Sequence, residues 1–581
     1  MPAFLDVERS LSGRRWVGPT AEHDRHAEAL AQQCGLPAAL CQVLARRGVD
    51  AAGVDAFLAP RLRALLPDPR SLKDMERAAA RLLAAVAAGE RIAIFADYDV
   101  DGGASAALLL DWLRQMGRGA TLYVPDRIDE GYGPNDAAMA ELAGAHDLIV
   151  CVDCGTLSHG PVAAAKGADV VILDHHLGGE TLPDALAVVN PNRQDESGEC
   201  AHLCAAAVVF LCLVEAGRQL RDAGRQGPDL IAMLDLVALA TVADVAPLTG
   251  VNRAFVRQGL KIMARRARPG LVALADAARL DSAPTAYHLG YVLGPRINAG
   301  GRVGRADLGA RLLASTDIAE ARAMAERLDQ LNTERREIEA GVQAAAMAQA
   351  EARGLDAPLA WAAGEGWHPG VVGIVASRLK EAANRPAVVI GLDGEIGKGS
   401  GRSVSGVDLG AAIQRLAAEG LLIKGGGHRM AAGLTVARDQ LDEAMARLGA
   451  LLARQGAERM GAADMVLDGL LMPGAATPDL ITRLEEAGPF GAAAVAPRHA
   501  FAAMRIDFAR RVGERHLKLR FTDGDGPRLD AICFGAYDGP LGPALEQHGG
   551  ARFHLAGRLE INRWQGRECA QLRLEDAAPA T

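Results

Sequence analysis

No apolar stretch of this chain reaches the roughly 18–20 residues that a helix needs to cross a bilayer, so a helical membrane span is excluded. The opening residues, MPAFLDVERSLSGRRWVG, carry acids and bases where a secretory leader has an apolar core, and no signal peptide is expected. Cysteines number only nine, an odd count at irregular spacing. That excludes a disulfide framework and fits a reducing, cytoplasmic setting. Aromatic residues are scarce, at 4%. No internal repeat or low-complexity tract is present. Basic charge is not in excess either. The net charge of −9 argues against a protein that coats nucleic acid by bulk attraction, while leaving room for a basic groove on an acidic body. A phosphate-binding P-loop is also missing, because Gly397-Lys398 is followed by Gly399 rather than Ser or Thr, and ATP hydrolysis is not implied.

What is present is a long, well-packed globular chain. Its 581 residues are half apolar and exceed what one core can hold, which predicts three or four domains. Five stretches differ in pattern. Residues 1–80 read as short amphipathic helices. From 81 to 316, apolar runs rich in Val and Ile (RIAIFA, DLIVCV, ADVVIL, ALAVVN) alternate with helical segments, the pattern of a parallel sheet covered on both faces. Residues 317–356 form an uninterrupted helical run without Pro, predicted to connect two lobes. Strand and helix signals alternate again over 357–460. From 461 to 581 alternating strands such as HLKLRFTD and RLDAICFG suit a small β-barrel.

The acids and histidines fall at particular places. RIAIFA runs into Asp97-Tyr98-Asp99-Val100-Asp101-Gly102, LIVCV into Asp153-Cys154-Gly155, and VVIL into Asp174-His175-His176. The apolar segment LDLVALATVA ends in Asp244 and is expected to do the same. A single Asp after a strand is more often a helix cap than a ligand. The joint pattern is different, because parallel strands all end on one edge and ligands bind at that edge. Carboxylates gathered so closely repel unless a cation neutralises them. Oxygen donors with imidazole favour Mn²⁺ or Mg²⁺ over thiolate-bound zinc. A cluster this size can hold two ions bridged by one Asp, the usual device for in-line phosphoryl displacement. Cys151 with Cys154, and Cys200 with Cys204, lack the second cysteine pair of a zinc site and read as small buried residues.

As a set, these residues resemble the motifs of the DHH phosphoesterases. The form DYDVDG, with Gly131-Tyr132-Gly133, Pro295–Arg302, Trp367–Ala376 and Gly425–His428, is similar to the RecJ branch of that family. The resemblance covers nearly the whole chain. It implies a parallel-sheet DHH domain, joined by a long helix to an α/β DHHA1 domain, with a C-terminal OB-type barrel. Asp97 and Asp99 would serve one metal, Asp153 both, and Asp101, His175 and Asp244 the second. His176 would contact the scissile phosphate, and Asp174 would orient its neighbours. Ser400 and Arg402 would bind a 5′-terminal phosphate with Arg127, Arg296, Asn298 and Arg302, and His428 would reach into the cleft. In the barrel, Lys518, Arg520 and Trp564 are candidates for DNA contact, although barrel aromatics such as Phe534 and Phe553 could equally fill its core.

The activity implied is a 5′-to-3′ exonuclease for single-stranded DNA in repair and recombination. Its expected partners are a 5′ end, a single-strand-binding protein and a helicase, and it is expected to be a monomer. Two rivals remain at this point. One is a DHH phosphodiesterase for short oligonucleotides or cyclic dinucleotides, which would lack the barrel. The other is a non-catalytic single-strand-binding scaffold, which would have lost acidic ligands. Two departures from the family pattern are Ala104 after the first motif and AAAVAPRHA after Gly488-Pro489-Phe490-Gly491; neither removes an expected ligand.

Overall fold

Strand β1 (Arg15–Val17) interrupts an otherwise helical N-terminal segment, whose helices Ala21–Cys34 and Ala38–Arg46 bury Leu30, Leu40 and Leu44. The computed structural model describes residues 2–126, 130–457, 463–564 and 566–580, apart from the side chain of residue 564.

The first lobe is built on five parallel strands, β2 (Ile92–Ala96), β3 (Thr121–Tyr123), β4 (Leu148–Val152), β5 (Asp169–Leu173) and β6 (Ala187–Val189), in the order β3-β2-β4-β5-β6. Side chains alternate across this sheet. Ile92, Ile94, Leu148 and Val150 join a core with helices Met75–Ala88, Val100–Gln115 and Ala205–Asp222, while Phe95, Ile149 and Cys151 face helices Asp136–Ala145 and His159–Ala164. With both faces covered, β2 and β4 are buried at every position, which is why their sequences are continuously apolar. The chain places β3 on one side of β2 and β4 on the other. The crevice outside their carboxyl ends is therefore the topological switch point of the sheet.

LDLVALATVA departs from expectation. It is a helix, Leu234–Ala243, not a strand, and Asp244 is its C-cap. Eight of its ten residues are buried, so hydrophobicity carries no helical period; its Leu and Ala content favours helix over the Val and Ile of the true strands.

Helix Ile318–Arg353 carries the chain to the second lobe over about 54 Å, at ~1.5 Å per residue. Asp317 caps it, accepting from Glu320 N at 2.8 Å. Its first half gives Ala321, Leu328 and Leu331 to the first core, and its second half gives Val342, Ala346 and Ala350 to the next. That second lobe holds β7 (Ala360–Glu365), β8 (Ala387–Asp393), β9 (Ile396–Arg402), β10 (Lys424–His428) and β11 (Ala431–Ala437), ordered β10-β11-β9-β8-β7. Only β7 and β8 pair in parallel.

Strand β12 (Asp464–Val466) returns to pair in parallel with β1, Trp16 opposite Met465. After the short β13 (Gly469–Leu470), the strands β14 (His499–Val512), β15 (His516–Thr522), β16 (Arg528–Cys533), β17 (Arg552–Trp564) and β18 (Arg567–Pro579) form a barrel closed by β14 on β17. Phe501, Phe521 and Phe553 fill it.

Gly102 lies where helix Val100–Gln115 folds over the exit of β2, and a Cβ there would sit 2.4 Å from the backbone oxygen of Asp97. Gly102→Ala should therefore lower stability by about 1–3 kcal/mol and weaken Mn²⁺ binding. Gly119→Ala, which meets open space, should do neither. Urea unfolding and calorimetric metal titration check both; equal behaviour of the two variants would refute the close packing.

Candidate metal centre and phosphate pocket

Each strand end delivers its acid by a definite local device. Asp99 caps helix Val100–Gln115, its Oδ1 accepting from Asp101 N at 2.8 Å and Gly102 N at 3.1 Å. Asp101 points from the same turn to the start of helix Ala205–Asp222, accepting from Ala205 N at 2.7 Å and Ala206 N at 2.8 Å. Helix N-termini favour negative charge, so two carboxylates are held without any basic side chain. Asp153 takes a left-handed backbone, φ 60°, and Val245, next to Asp244, does the same. For a β-branched residue that geometry is strained, and it persists only because the surroundings impose it.

The acids converge as the sheet topology predicts. Ligand atoms of Asp97, Asp99 and Asp153 lie within 4.8 Å of one another, as do those of Asp101, His175 and Asp244, and those of Asp153, His175 and His176. His175 Nε2 is 3.3 Å from Asp153, 3.7 Å from Asp101 and 3.8 Å from Asp244. Its other nitrogen, Nδ1, lies 3.2 Å from the Leu203 carbonyl, which fixes the proton there and turns the Nε2 lone pair toward the carboxylates.

Electrostatics identify what the cluster lacks. Burial, then repulsion from neighbouring acids, pushes Asp153 up and raises Asp244 to about 8, and burial keeps Asp101 raised although His175 pulls the other way. Among the described residues no hydrogen bond reaches the buried Oδ1 of Asp153. Among the described residues no Lys or Arg pairs with Asp101, Asp153 or Asp244, and carboxylates with open lone pairs beside the His175 imidazole fit hard divalent cations. The described metal-competent groups contain no cysteine, and Cys151, Cys154, Cys200 and Cys204 are buried and unpaired.

Asp174 stands apart from these groups. It accepts from Thr156 N and Oγ1, from His175 N and His176 N, and from His176 Nδ1 at 2.8 Å. Burial alone would raise it, yet these bonds hold it below the ordinary carboxylate range. Burial likewise opposes charge on His176, but the Asp174 bond and charge outweigh it and lift the imidazole to about 9. Three polar residues to which the sequence reading gave no role complete this network. Tyr132, in the GYG motif, sets its hydroxyl 3.1 Å from Asp153 O and 2.9 Å from His176 Nε2. Asn190 donates to Thr156 Oγ1 and to His176 O. Thr156 itself immediately follows Asp153-Cys154-Gly155; only the GYG spacing hinted at any of the three.

A second site opens between the lobes. A cavity of about 250 Å³ is lined by Arg302, Gly370, Lys398, Gly399 and Ser400, at the start of helix Pro369–Ala383. Arg402 donates to Ser400 Oγ at 3.0 Å, and Arg302 donates to Gly370 O at 2.8 Å. Lys398 is a lining residue that the sequence reading used only to reject a P-loop. The other phosphate candidates differ. Arg296 is held by Asp329 of the connector helix and by Val292 O, whereas Asn298 accepts from Val100 N and so braces the first motif. His428 is exposed at the end of β10. Arg127 lies outside the described residues. In the barrel, Arg520 is tied to Asp530, Lys518 stays outward, Phe553 is core and Phe534 is 53% exposed. Trp564 ends β17, with its side chain outside the described set.

Residues 91–241 match the DHH family, N-terminal domain, residues 356–454 the DHHA1 domain, and residues 467–576 the RecJ OB domain. The chain is 41% identical to the single-stranded-DNA-specific exonuclease RecJ of Dickeya dadantii, over 94% of this chain and 96% of that one. It is 38% identical to the Escherichia coli protein of the same name, with 94% and 96% covered. The crystal structure of RecJ with Mn²⁺ from Thermus thermophilus superposes with a TM-score of 0.80 at 29% identity, covering 97% of this chain and 79% of that one. Its counterpart with Mg²⁺ gives 0.74 at 28% identity, covering 97% and 78%.

The Asp174–His176 bond makes a direct prediction. In metal-free protein, Asp174→Asn removes the hydrogen bond and charge that most raise the imidazole and leaves burial opposed only by Asp97 and Asp244. His176 should then titrate well below 9. Selective ¹³C-histidine NMR across the neutral and mildly alkaline range reads this, and a midpoint still near 9 would refute the pairing.

Proposed function

The chain belongs to the RecJ family of single-stranded-DNA-specific exonucleases within the DHH phosphoesterases, and on that premise we propose the residue roles by which it cuts. It is a metal-dependent exodeoxyribonuclease, a hydrolase of phosphodiester bonds, and Mn²⁺ or Mg²⁺ is its cofactor. Asp97, Asp99 and Asp153 hold one ion, and Asp101, His175, Asp244 and the shared Asp153 hold the other. The convergence of these groups within 4.8 Å carries the reading. Bound there, two ions supply hydroxide near neutral pH and offset charge at the transferring phosphorus.

The chain's own side chains do the rest. Leu203 holds His175 in the tautomer that presents Nε2. Asp174 keeps His176 protonated, giving a cation for the scissile phosphate, and Tyr132 fixes the ring from its other side. Arg302, Ser400 and Arg402 hold a 5′-terminal phosphate at the helix start between the lobes, with Arg127 as a further candidate. Asn298 positions the first motif, and Arg296 ties its helix to the connector helix through Asp329, rather than touching substrate. His428 would enter the cleft when DNA is bound, and Lys518, Arg520 and Trp564 would guide the strand on the barrel. These roles give 5′-to-3′ digestion.

The rivals lose ground. A small-substrate phosphodiesterase does not need the RecJ OB domain matched at 467–576, and a scaffold would not retain the whole acid set. No described helix is long and apolar enough to cross a membrane. An enzyme confined to single strands needs unwound substrate, which supports action with a helicase and a single-strand-binding protein in repair and recombination; we propose a cytoplasmic monomer as its working form. The domain limits we adopt are 1–80, 81–316, 317–356, 357–460 and 461–581.

Asp153→Asn keeps a residue that tolerates left-handed backbone but removes the bridging charge. Cleavage of labelled single strands with Mn²⁺ should fall roughly 10²–10³-fold or more, while DNA binding by anisotropy persists; retained turnover would sink the ligand assignment. Ser400→Ala with Arg402→Ala should cut the preference for 5′-phosphate over 5′-hydroxyl ends by about tenfold. An unchanged preference would mean that the end is read elsewhere.

A further inference from the structure

Asn252 is wholly buried, yet its polar bonds serve neither the apolar core nor its own helix. It is the third residue of helix Gly250–Met263. Asn is a weak helix former, and an amide costs free energy to bury unless its polar atoms are paired. Here the nitrogen is paired twice, donating to His202 O at 2.8 Å and to Pro247 O at 3.0 Å. Two carbonyl partners require the NH₂ side of the amide, so its orientation is fixed. The other side is left over: among the described residues nothing donates to the buried Oδ1. A side chain kept for stability alone would not leave an orphaned acceptor in the core.

The two carbonyls belong to the loops that set His175 and Asp244. His202 precedes Leu203, whose carbonyl lies 3.2 Å from His175 Nδ1 and holds that ring. Pro247 lies in the turn that follows Asp244. These two candidate ligands come from separate elements: His175 follows β5, and Asp244 caps helix Leu234–Ala243. Their ligand atoms nevertheless stand 3.8 Å apart. The turn after Asp244 is strained at Val245, φ 60°, whose side chain is 69% exposed and so gains little from packing. A strained turn keeps its shape only where its surroundings impose it. From outside, Leu248 N donates to Ala492 O at 2.8 Å, a residue of the C-terminal domain. From inside, the turn is tied by Asn252.

We propose that Asn252 is a positioning residue of the metal centre, clasping the Asp244 turn to the loop that orients His175 so that both present to one ion. This rests on the metal-site reading given above. Each Nδ2 hydrogen serves one loop, so losing the amide frees both supports at once. A metal–ligand distance tolerates a drift of only about 0.2 Å, which makes the site sensitive to a bond two residues removed from it. Asp97 and Asp99 leave the end of β2 and receive nothing from Asn252, so the effect falls on the ion of Asp101, His175 and Asp244. Asn252 itself touches neither substrate nor reacting atoms.

The test titrates full-length protein with Mn²⁺ by calorimetry and follows the bound ions by electron paramagnetic resonance. Wild type should take up two ions and give the signal of a coupled pair. Asn252→Ala should weaken one ion roughly 10- to 100-fold, the range for losing an outer partner of a metal ligand, and leave the other unchanged. The coupled-pair signal should then be lost at the Mn²⁺ concentration that fills wild type. On 5′-phosphorylated single strands kcat should fall at limiting Mn²⁺ while KM for the strand holds, and excess Mn²⁺ should restore kcat. Asn252→Ser, which can serve one loop at most, should shift the same quantities by less, and it carries the test if the alanine variant does not fold. Val256→Ala, one turn along the same helix and equally buried, removes core volume but no hydrogen bond and should leave both Mn²⁺ affinities intact. Unchanged affinity in the Asn252 variants, equal weakening of both ions, or the same loss in Val256→Ala would each overturn the positioning role. A wild type that binds fewer than two ions would instead overturn the metal-site reading, and the clasp with it.

Discussion

Repulsion among buried carboxylates at one sheet edge is the constraint around which this molecule is arranged. Asp97, Asp101 and Asp153 are buried, and the half-buried Asp99 and Asp244 meet them at the carboxyl edge of the sheet. For Asp101 and Asp99 the fold answers with backbone N–H groups: a helix start for Asp101 and a cap for Asp99. A lysine or arginine placed among them would neutralise the cluster permanently and leave no demand for a cation. Asp174 is the contrast. Saturated by five donated hydrogen bonds, it is a stable anion that has no call on a metal and can spend its charge on His176.

A second dependence follows from helix Ile318–Arg353. Because it contributes apolar side chains to the cores of both lobes, it is a shared structural beam. Arg302 from the first lobe and Ser400 from the second can then line one cavity although they lie almost a hundred residues apart. The distance between end recognition and chemistry is thus a property of rigid elements, which is what a site needs to hold substrate within a fraction of an ångström.

Sequence made much of this legible for a plain reason. Apolar strands with Asp at their carboxyl ends state both the topology and the location of the site, so β2, β4 and β5 with Asp97, Asp153 and Asp174 could be read directly. The helix Ile318–Arg353 was readable from its uninterrupted pattern. Asp244 was readable as a converging acid but not as a helix cap, since a segment buried on all sides shows no period. Tyr132, Thr156 and Asn190 were not readable as a network, because side-chain hydrogen bonds between distant loops leave no spacing in sequence. Phe534 and Phe553 sit on neighbouring barrel segments with similar local patterns, and only closure of the barrel decides that one faces solvent and the other the core.

The pairing of β1 with β12 joins residue 16 to residue 465, and Trp16 also donates to Asp576 across 560 positions. Such contacts impose an order on biosynthesis. Strand β1 must stay unpaired until β12 has been translated, while the first lobe can close from contacts within its own sequence. Loop closure over that length makes the pairing slow as well as late. Full seating of Trp16, with its bond to Asp576, therefore requires the last barrel strand to be in place.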